Sequence, residues 1–441
     1  MTNLNEMTAE EAARAIAAGE QTSEELVKAC LGRVDAREET VLAWAHLDSE
    51  LARNQARARD AEQAAGAELG PLHGVPVGIK DIIDTADLPT ENGSDHFRGR
   101  RPTRDATCVA LLKAAGAVIM GKTVTTEFAM TGQRGTRNPH DPERTPGGSS
   151  SGSGAAVADF MVPLALGSQT GGSVIRPASF CGTHGYKPTY GCISRHGVFI
   201  LARALDHIGV YGKSLADLAI IGDVLMHHDP LDFDMRAHAN GHLVEALADG
   251  GATPPRIAFI KGPPWAFADD YMDALFEGYI AGLGEAVQEV ELSGIFDDAL
   301  DAQQTVMDAN LWSNLGPFID NHADELLPET VRRITSGKGL AAVDYIQARE
   351  LTDSLCAALD GLFEHYDCIV TAGAPGEAPM GLESTGNAVF QKIWTLTGLP
   401  AVTLPLLKGP NGMPVGVQVI GRKGCDGDLF RAAKWVEAQG A

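Results

Sequence analysis

The sequence predicts an α/β protein: one large domain over residues 1–441, with a mixed, mostly parallel twisted sheet covered by helices on both faces. Two observations lead there. Short β-branched apolar runs alternate with helical stretches through the first half of the chain and return near its end. A chain of 441 residues is also long enough to bury a large core, and no internal repeat or low-complexity tract divides it.

The elements follow in order. Thr8-x-x-Glu11 and Thr22-x-x-Glu25 are capping boxes that open two short amphipathic helices. Residues 50–66, rich in Ala, Arg and Glu, predict a third helix. VPVGIKDIIDT at 75–85 is a buried strand, ATCVALLKAAG at 106–116 a helix, and AVIMGKT at 117–123 a strand. PLALGSQ at 163–169 predicts another strand. The part from about 225 to 345 changes texture. It carries one clear strand, at 256–262, and several helices, and it is read as a helix-rich part packed on the sheet. Trp312 and Phe318 within it fit core packing first and pocket lining second. Strands return at 367–373, 401–407 and 414–421, with Pro410-Asn411-Gly412 as a turn between the last two.

A net charge of −23 argues against nucleic acid or an anionic membrane surface as the main partner. The N-terminus has no basic n-region followed by an apolar stretch, and no run of 18 apolar residues occurs. The seven cysteines are scattered without a CxxC pair, which fits reduced thiols and a cytoplasmic protein. The thirteen histidines show no HExxH spacing, so neither a metal nor a cofactor is expected.

Two literal motif matches fail on context. Gly116 to Thr123 fits GxxxxGK[ST], but its central residues are apolar and themselves predict a strand, where a phosphate loop needs a flexible turn. Gly148 to Gly152 fits GxSxG around Ser150, but a loop precedes it where a nucleophile elbow needs a strand. TGGS, Thr170 to Ser173, is better placed, directly after a predicted strand. Two glycines let the backbone approach a substrate and turn several N–H groups toward one point. Lys80 lies in an apolar run where a solvated lysine has no place. With Ser149 and Ser173 it supplies what nucleophilic catalysis needs when histidine is not the base.

GGSSSGSGAAVA, TGGSVIRPASFCG, KPTYG, VGIKD, KTVTTEFAM and VGVQVIG together resemble the amidase signature family over most of the chain, and GIKDIIDT with GSQTGGSVIRP resembles its malonamidase branch. The resemblance implies hydrolysis of a linear amide, with Ser173 as nucleophile, Lys80 as base and Ser149 as the bridge, held on a cis peptide bond after Gly148. It implies an oxyanion hole from the N–H groups of Thr170, Gly171, Gly172 and Ser173, and substrate contacts in the segment that holds Ala129 and Met130. The expected partner is a small amide, with a homodimer allowed. Carbamates, aryl amides and esters are alternative substrates, and a glutaminase subunit of an amidotransferase complex is the alternative of another class.

The physical requirements agree. A lysine accepts a proton only when neutral, and burial favours that form. Asp81 or Asp84 would undo it by facing Lys80, but strand alternation points Asp81 to the opposite side. The chain departs from the family pattern at two places. Gln169 stands where many members carry aspartate, and the arginine usual two residues after the nucleophile is replaced by Ile175, with Arg176 one place later. Two roles stay open for Arg176: binding a substrate carboxylate or carbonyl, or bonding nearby backbone carbonyls.

Overall fold

The computed structural model describes residues 3–130, 132, 134–235, 241–251 and 253–440. Apolar, β-branched runs supply the strands, and eleven of them join one sheet. They are β1 (Trp44–Leu47), β2 (Pro76–Lys80), β3 (Val118–Thr123), β4 (Leu164–Gln169), β5 (His184–Lys187), β6 (His207–Gly212), β7 (Ile257–Phe259), β8 (Val287–Glu289), β9 (Cys368–Ala372), β10 (Ala401–Lys408) and β11 (Pro414–Ile420). Their order is β1-β3-β2-β4-β6-β5-β10-β11-β9-β7-β8.

The fold is the single large α/β domain with a mixed sheet that the sequence predicts, but parallel pairing is less widespread than expected. It is confined to β3-β2-β4 on one side and β9-β7-β8 on the other. Every pairing between β4 and β9 is antiparallel. The Pro-Asn-Gly turn explains part of this. It closes β10 and β11 into a hairpin, with Gly412 at φ 78° and its N–H on Gly409 O at 3.0 Å, and a tight hairpin is antiparallel by construction.

Helices cover both faces, as two neighbours on β5 show. A Cβ on Gly185 would lie 2.6 Å from Ala178 Cβ of the helix Ile175–Cys181. Tyr186, pointing the other way, meets Phe430 of the helix Asp426–Gln439 edge to face at 4.9 Å. The predicted capping boxes at Thr8 and Thr22 are both formed. The part from 225 to 345 contributes helices Leu243–Asp249, Met272–Leu283, Ala299–His322 and Pro328–Thr335, and two strands, β7 and the edge strand β8, where the sequence suggests one. The strand read over 75–85 ends at Lys80, because the chain turns there: the N–H groups of Ile82 and Ile83 both bond Lys80 O.

No helix among the described residues is long and apolar enough to cross a membrane. Residues 118–123 of the phosphate-loop match form β3, fully buried. Ser150, of the GxSxG match, is also fully buried, with its Oγ bonded to the backbone N–H and carbonyl of Ser168.

Candidate active site

Three parallel strands, β3, β2 and β4, lie side by side, and the candidate residues gather at their carboxyl ends, where open α/β sheets place ligands. Lys80 is the last residue of β2, and TGGS follows directly on β4. Ile79 is the register partner of Leu166, so the side chain of Lys80 reaches Ser168, two residues further along β4. Its amine bonds Ser168 Oγ at 2.8 Å and Ser149 Oγ at 2.7 Å, and it has no exposure. Burial holds this amine well below the ordinary lysine range. Asp206 acts the other way and raises it, but its own oxygens are taken by Thr170 Oγ1 at 2.6 Å and by the N–H groups of Leu201 and Ala202. Asp81 turns away, as alternation predicts, and pairs with Lys122 at 3.4 Å. Asp84 pairs with Arg100.

Ser149 reaches Lys80 through the Gly-Ser run. The peptide bond between Gly148 and Ser149 is cis. Behind it, Ser151–Ala158 is a helix of small residues, buried almost throughout, that packs closely on Ile175–Cys181; Gly154 leaves only 3.2 Å between a would-be Cβ and Pro177 Cβ. Ser153 Oγ ties this helix to the carbonyl of Leu166 at 2.8 Å. The serines of this segment thus divide their work: Ser150 and Ser153 fasten it to β4, and Ser149 faces the lysine.

Ser173 is the more open of the two candidate serines, half-buried where Ser149 is buried. Its carbonyl accepts from Tyr211 Oη at 3.0 Å. Gln169 fixes the turn: its Oε1 accepts the N–H groups of Val174 (2.9 Å) and Ile175 (3.1 Å), and its Nε2 donates to Thr395 Oγ1. Thr395 in turn donates to Gly171 O at 2.7 Å. An amide serves here where a carboxylate could not, because one end must donate and the other accept. Gly172 is required sterically, since a Cβ there would lie 2.3 Å from Gln391 Oε1.

Arg176 is buried and makes no ion pair among the described residues. It donates to Gly148 O, to Gly386 O at 2.5 Å and to Thr385 Oγ1 at 3.2 Å. Its Nε has no hydrogen-bond partner among the described residues, and burial lowers the guanidinium to about 10. Ala129 is buried and Met130 half-buried, in a loop whose Thr126 N–H bonds Ser149 O at 3.3 Å. Phe128 and Ala129 there hold φ of 51° and 55°, a strained conformation that persists only when the surroundings enforce it. The structure therefore brings Lys80, Ser149, the TGGS turn and the carbonyl-bound Arg176 together. Sequence reasoning misses Ser168, Asp206, Tyr211, Gln391 and Thr395. Only Ser168 has a local signal, one step before Gln169 on a predicted strand.

Residues 25–430 match the model of the family described as Amidase. A glutamyl-tRNA(Gln) amidotransferase subunit of Streptomyces coelicolor is 33% identical over 484 residues, covering 99% of this chain and 97% of its own. Among solved structures, a chain of the inhibitor-bound "vestigial protein complex" described as revealing the origins of an s-triazine catabolic enzyme superposes with a TM-score of 0.91 at 30% identity, covering 98% of this chain and 99% of that one. The peptide amidase of Stenotrophomonas maltophilia superposes with a TM-score of 0.82 at 28% identity, covering 98% of this chain and 96% of its own.

Proposed function

The chain belongs to the amidase family and is an amide-hydrolysing enzyme, and from that premise we propose that it cleaves a small linear amide through an acyl-enzyme on Ser173. The observation that carries the reading is the Lys80 amine, buried, without a carboxylate beside it, and 2.7 Å from Ser149 Oγ. Neutral Lys80 takes the proton of Ser149, and Ser149 takes that of Ser173 as its Oγ attacks the carbonyl carbon. The N–H groups of Thr170, Gly171, Gly172 and Ser173 meet the charge that develops on the carbonyl oxygen. The relay then runs backward to protonate the leaving amine. Water, deprotonated along the same path, attacks the ester and releases the acid.

The proposed substrate carries a carboxylate beside the scissile amide, as malonamate does, with Arg176 as its counter-ion. Support comes from a buried guanidinium that bonds only neutral oxygens and keeps a free Nε–H. A buried cation without an anion is costly, and a substrate carboxylate removes that cost. Ala129 and Met130, in the loop against Ser149, are proposed to line the same pocket. A second reading, a glutaminase subunit of an amidotransferase complex, is favoured by the name and near-complete coverage of the Streptomyces relative.

The test is turnover of malonamic acid, short alkyl amides, anilides and carbamates by the lone chain without ATP. Malonamic acid should be hydrolysed, and Ser173→Ala should lower the rate by ~10³-fold or more at unchanged Tm. Arg176→Lys should cost ~2–5 kcal/mol on carboxylate-bearing substrates and far less on simple amides. A variant at Ser173 that keeps more than about a tenth of the rate removes Ser173 as nucleophile. Turnover seen only with ATP and a partner decides for the amidotransferase reading.

A further inference from the structure

Away from Lys80 and its serines, one group among the described residues has the donor atoms of a metal centre: His96, His322 and Glu325, whose ligand atoms all lie within 4.8 Å of one another. His96 sits in the short turn Asp95–Phe97, His322 ends the helix Ala299–His322, and Glu325 closes the turn that follows. The fold brings the two histidines together from opposite halves of the chain, so no local spacing in the sequence announces them. Glu325 is shared between the imidazoles. One carboxylate oxygen lies 2.6 Å from His96 Nδ1 and the other 2.8 Å from His322 Nδ1. The ring centroids are 4.7 Å apart.

We propose that His96, His322 and Glu325 bind a zinc-class divalent cation that pins the end of helix Ala299–His322 to the Ser94–Phe97 turn. Two imidazoles and one carboxylate form a three-residue zinc donor set that leaves a fourth position for water, and imidazole favours zinc, nickel and copper over calcium or magnesium. Tetrahedral bonds of about 2.0–2.2 Å set ligand atoms about 3.3 Å apart, so the carboxylate must draw back and the two nitrogens close in. The cluster can do this. His96, 17% exposed, is fixed between Phe97 and Phe318, each 4.8 Å away edge-on. His322 and Glu325 are the more open pair, 37% and 46% exposed, with His322 lying against Phe318 at 4.7 Å.

The place gives such a cation a consequence. Glu127 already bridges the same segments, with one oxygen accepting from Ser94 Oγ and the other from the Leu327 N–H, both at 2.9 Å. Phe97, Phe128 and Phe318 pack together here, Phe97 stacked on Phe318 and Phe128 edge-on to Phe318. Phe128 belongs to the loop that bonds Ser149 O. A cation here would hold that aromatic wall in place beside the serines. The inference rests on this geometry alone and stands or falls apart from the assignment of Ser173.

The experiment is calorimetric titration of Zn²⁺ into the tag-free full chain, together with thermal unfolding with and without Zn²⁺, for wild type, His96→Ala and Glu325→Gln. Glu325→Gln keeps the shape of a largely exposed side chain, so it remains informative where His96→Ala fails to fold. One zinc per chain is expected, with affinity falling by more than about tenfold in each folded variant and a zinc-dependent rise in Tm seen only in wild type. Absence of binding in wild type, or equal affinity in wild type and Glu325→Gln, overturns the proposal.

Discussion

Lys80 ends β2, and Lys122 lies beside it on β3 as the register partner of Ile79; neither side chain reaches solvent. Their surroundings differ. Lys122 spends its three donors on Ile83 O, Pro89 O and Thr90 Oγ1, and lies 3.4 Å from the Asp81 carboxylate. Burial lowers it to about 8 while Asp81 pulls it back, so it stays protonated at neutral pH. Lys80 has two serine hydroxyls and, among the described residues, no carboxylate in contact, and burial holds it well below the ordinary range. Two buried amines on adjacent strands thus carry opposite assignments. The one with an anion fastens the strands, and the one without is the proposed proton acceptor.

Replacing each by methionine breaks this comparison most sharply. Lys80→Met should lower kcat/KM by ~10³-fold or more with the protein still folded. Lys122→Met should destabilise the fold by ~3–5 kcal/mol, because it strands the buried Asp81 carboxylate, and should affect turnover mainly through the folded fraction. The sign for Lys80 follows from linkage. Its folded pKa lies below the unfolded value, so the unfolded chain binds the extra proton, and burial of Lys80 costs stability that is recovered as pH rises toward the unfolded pKa. Lys80→Met removes that cost and should be the milder change in thermal unfolding. Equal losses of stability in the two variants would erase the distinction.

A smaller contrast sharpens the same division inside the TGGS turn. Gly172→Ala places a Cβ 2.3 Å from Gln391 Oε1, and Gln391 is anchored by its bond to Gly373 O. It should cost about 1–3 kcal/mol and much of the activity. At Gly171 the nearest atom is Ala388 Cβ at 3.9 Å, so Gly171→Ala should stay within about 0.5 kcal/mol in denaturant unfolding. A reversed order would mean that the turn is held by something other than this packing.

The sequence makes visible what is contiguous. The β2 run, the Gly-Ser segment and TGGS after β4 each carry their signal within a short stretch of chain, and so do the capping boxes at Thr8 and Thr22. The remainder depends on approaches across the fold. Asp206 meets Thr170, and Thr395 meets Gly171, over separations that no local pattern encodes. The antiparallel centre of the sheet is hidden for a related reason. β5 and β6, HGYK and HIGVYG, are short and glycine-bearing, because Gly185 and Gly209 must admit Val174 and Ala178 of the neighbouring helix. Without those strands the alternation of apolar runs and helices reads as parallel.

The central claim is that Lys80 is an uncharged amine in the resting protein. The ¹⁵N resonance of its Nζ in lysine-labelled protein, assigned by its loss in Lys80→Met, reports this directly. The account predicts a change from ammonium to neutral amine at a midpoint well below the ordinary lysine range, with kcat/KM rising with pH through the same midpoint. An ammonium signal that persists up to about pH 10, the ordinary lysine range, would contradict it.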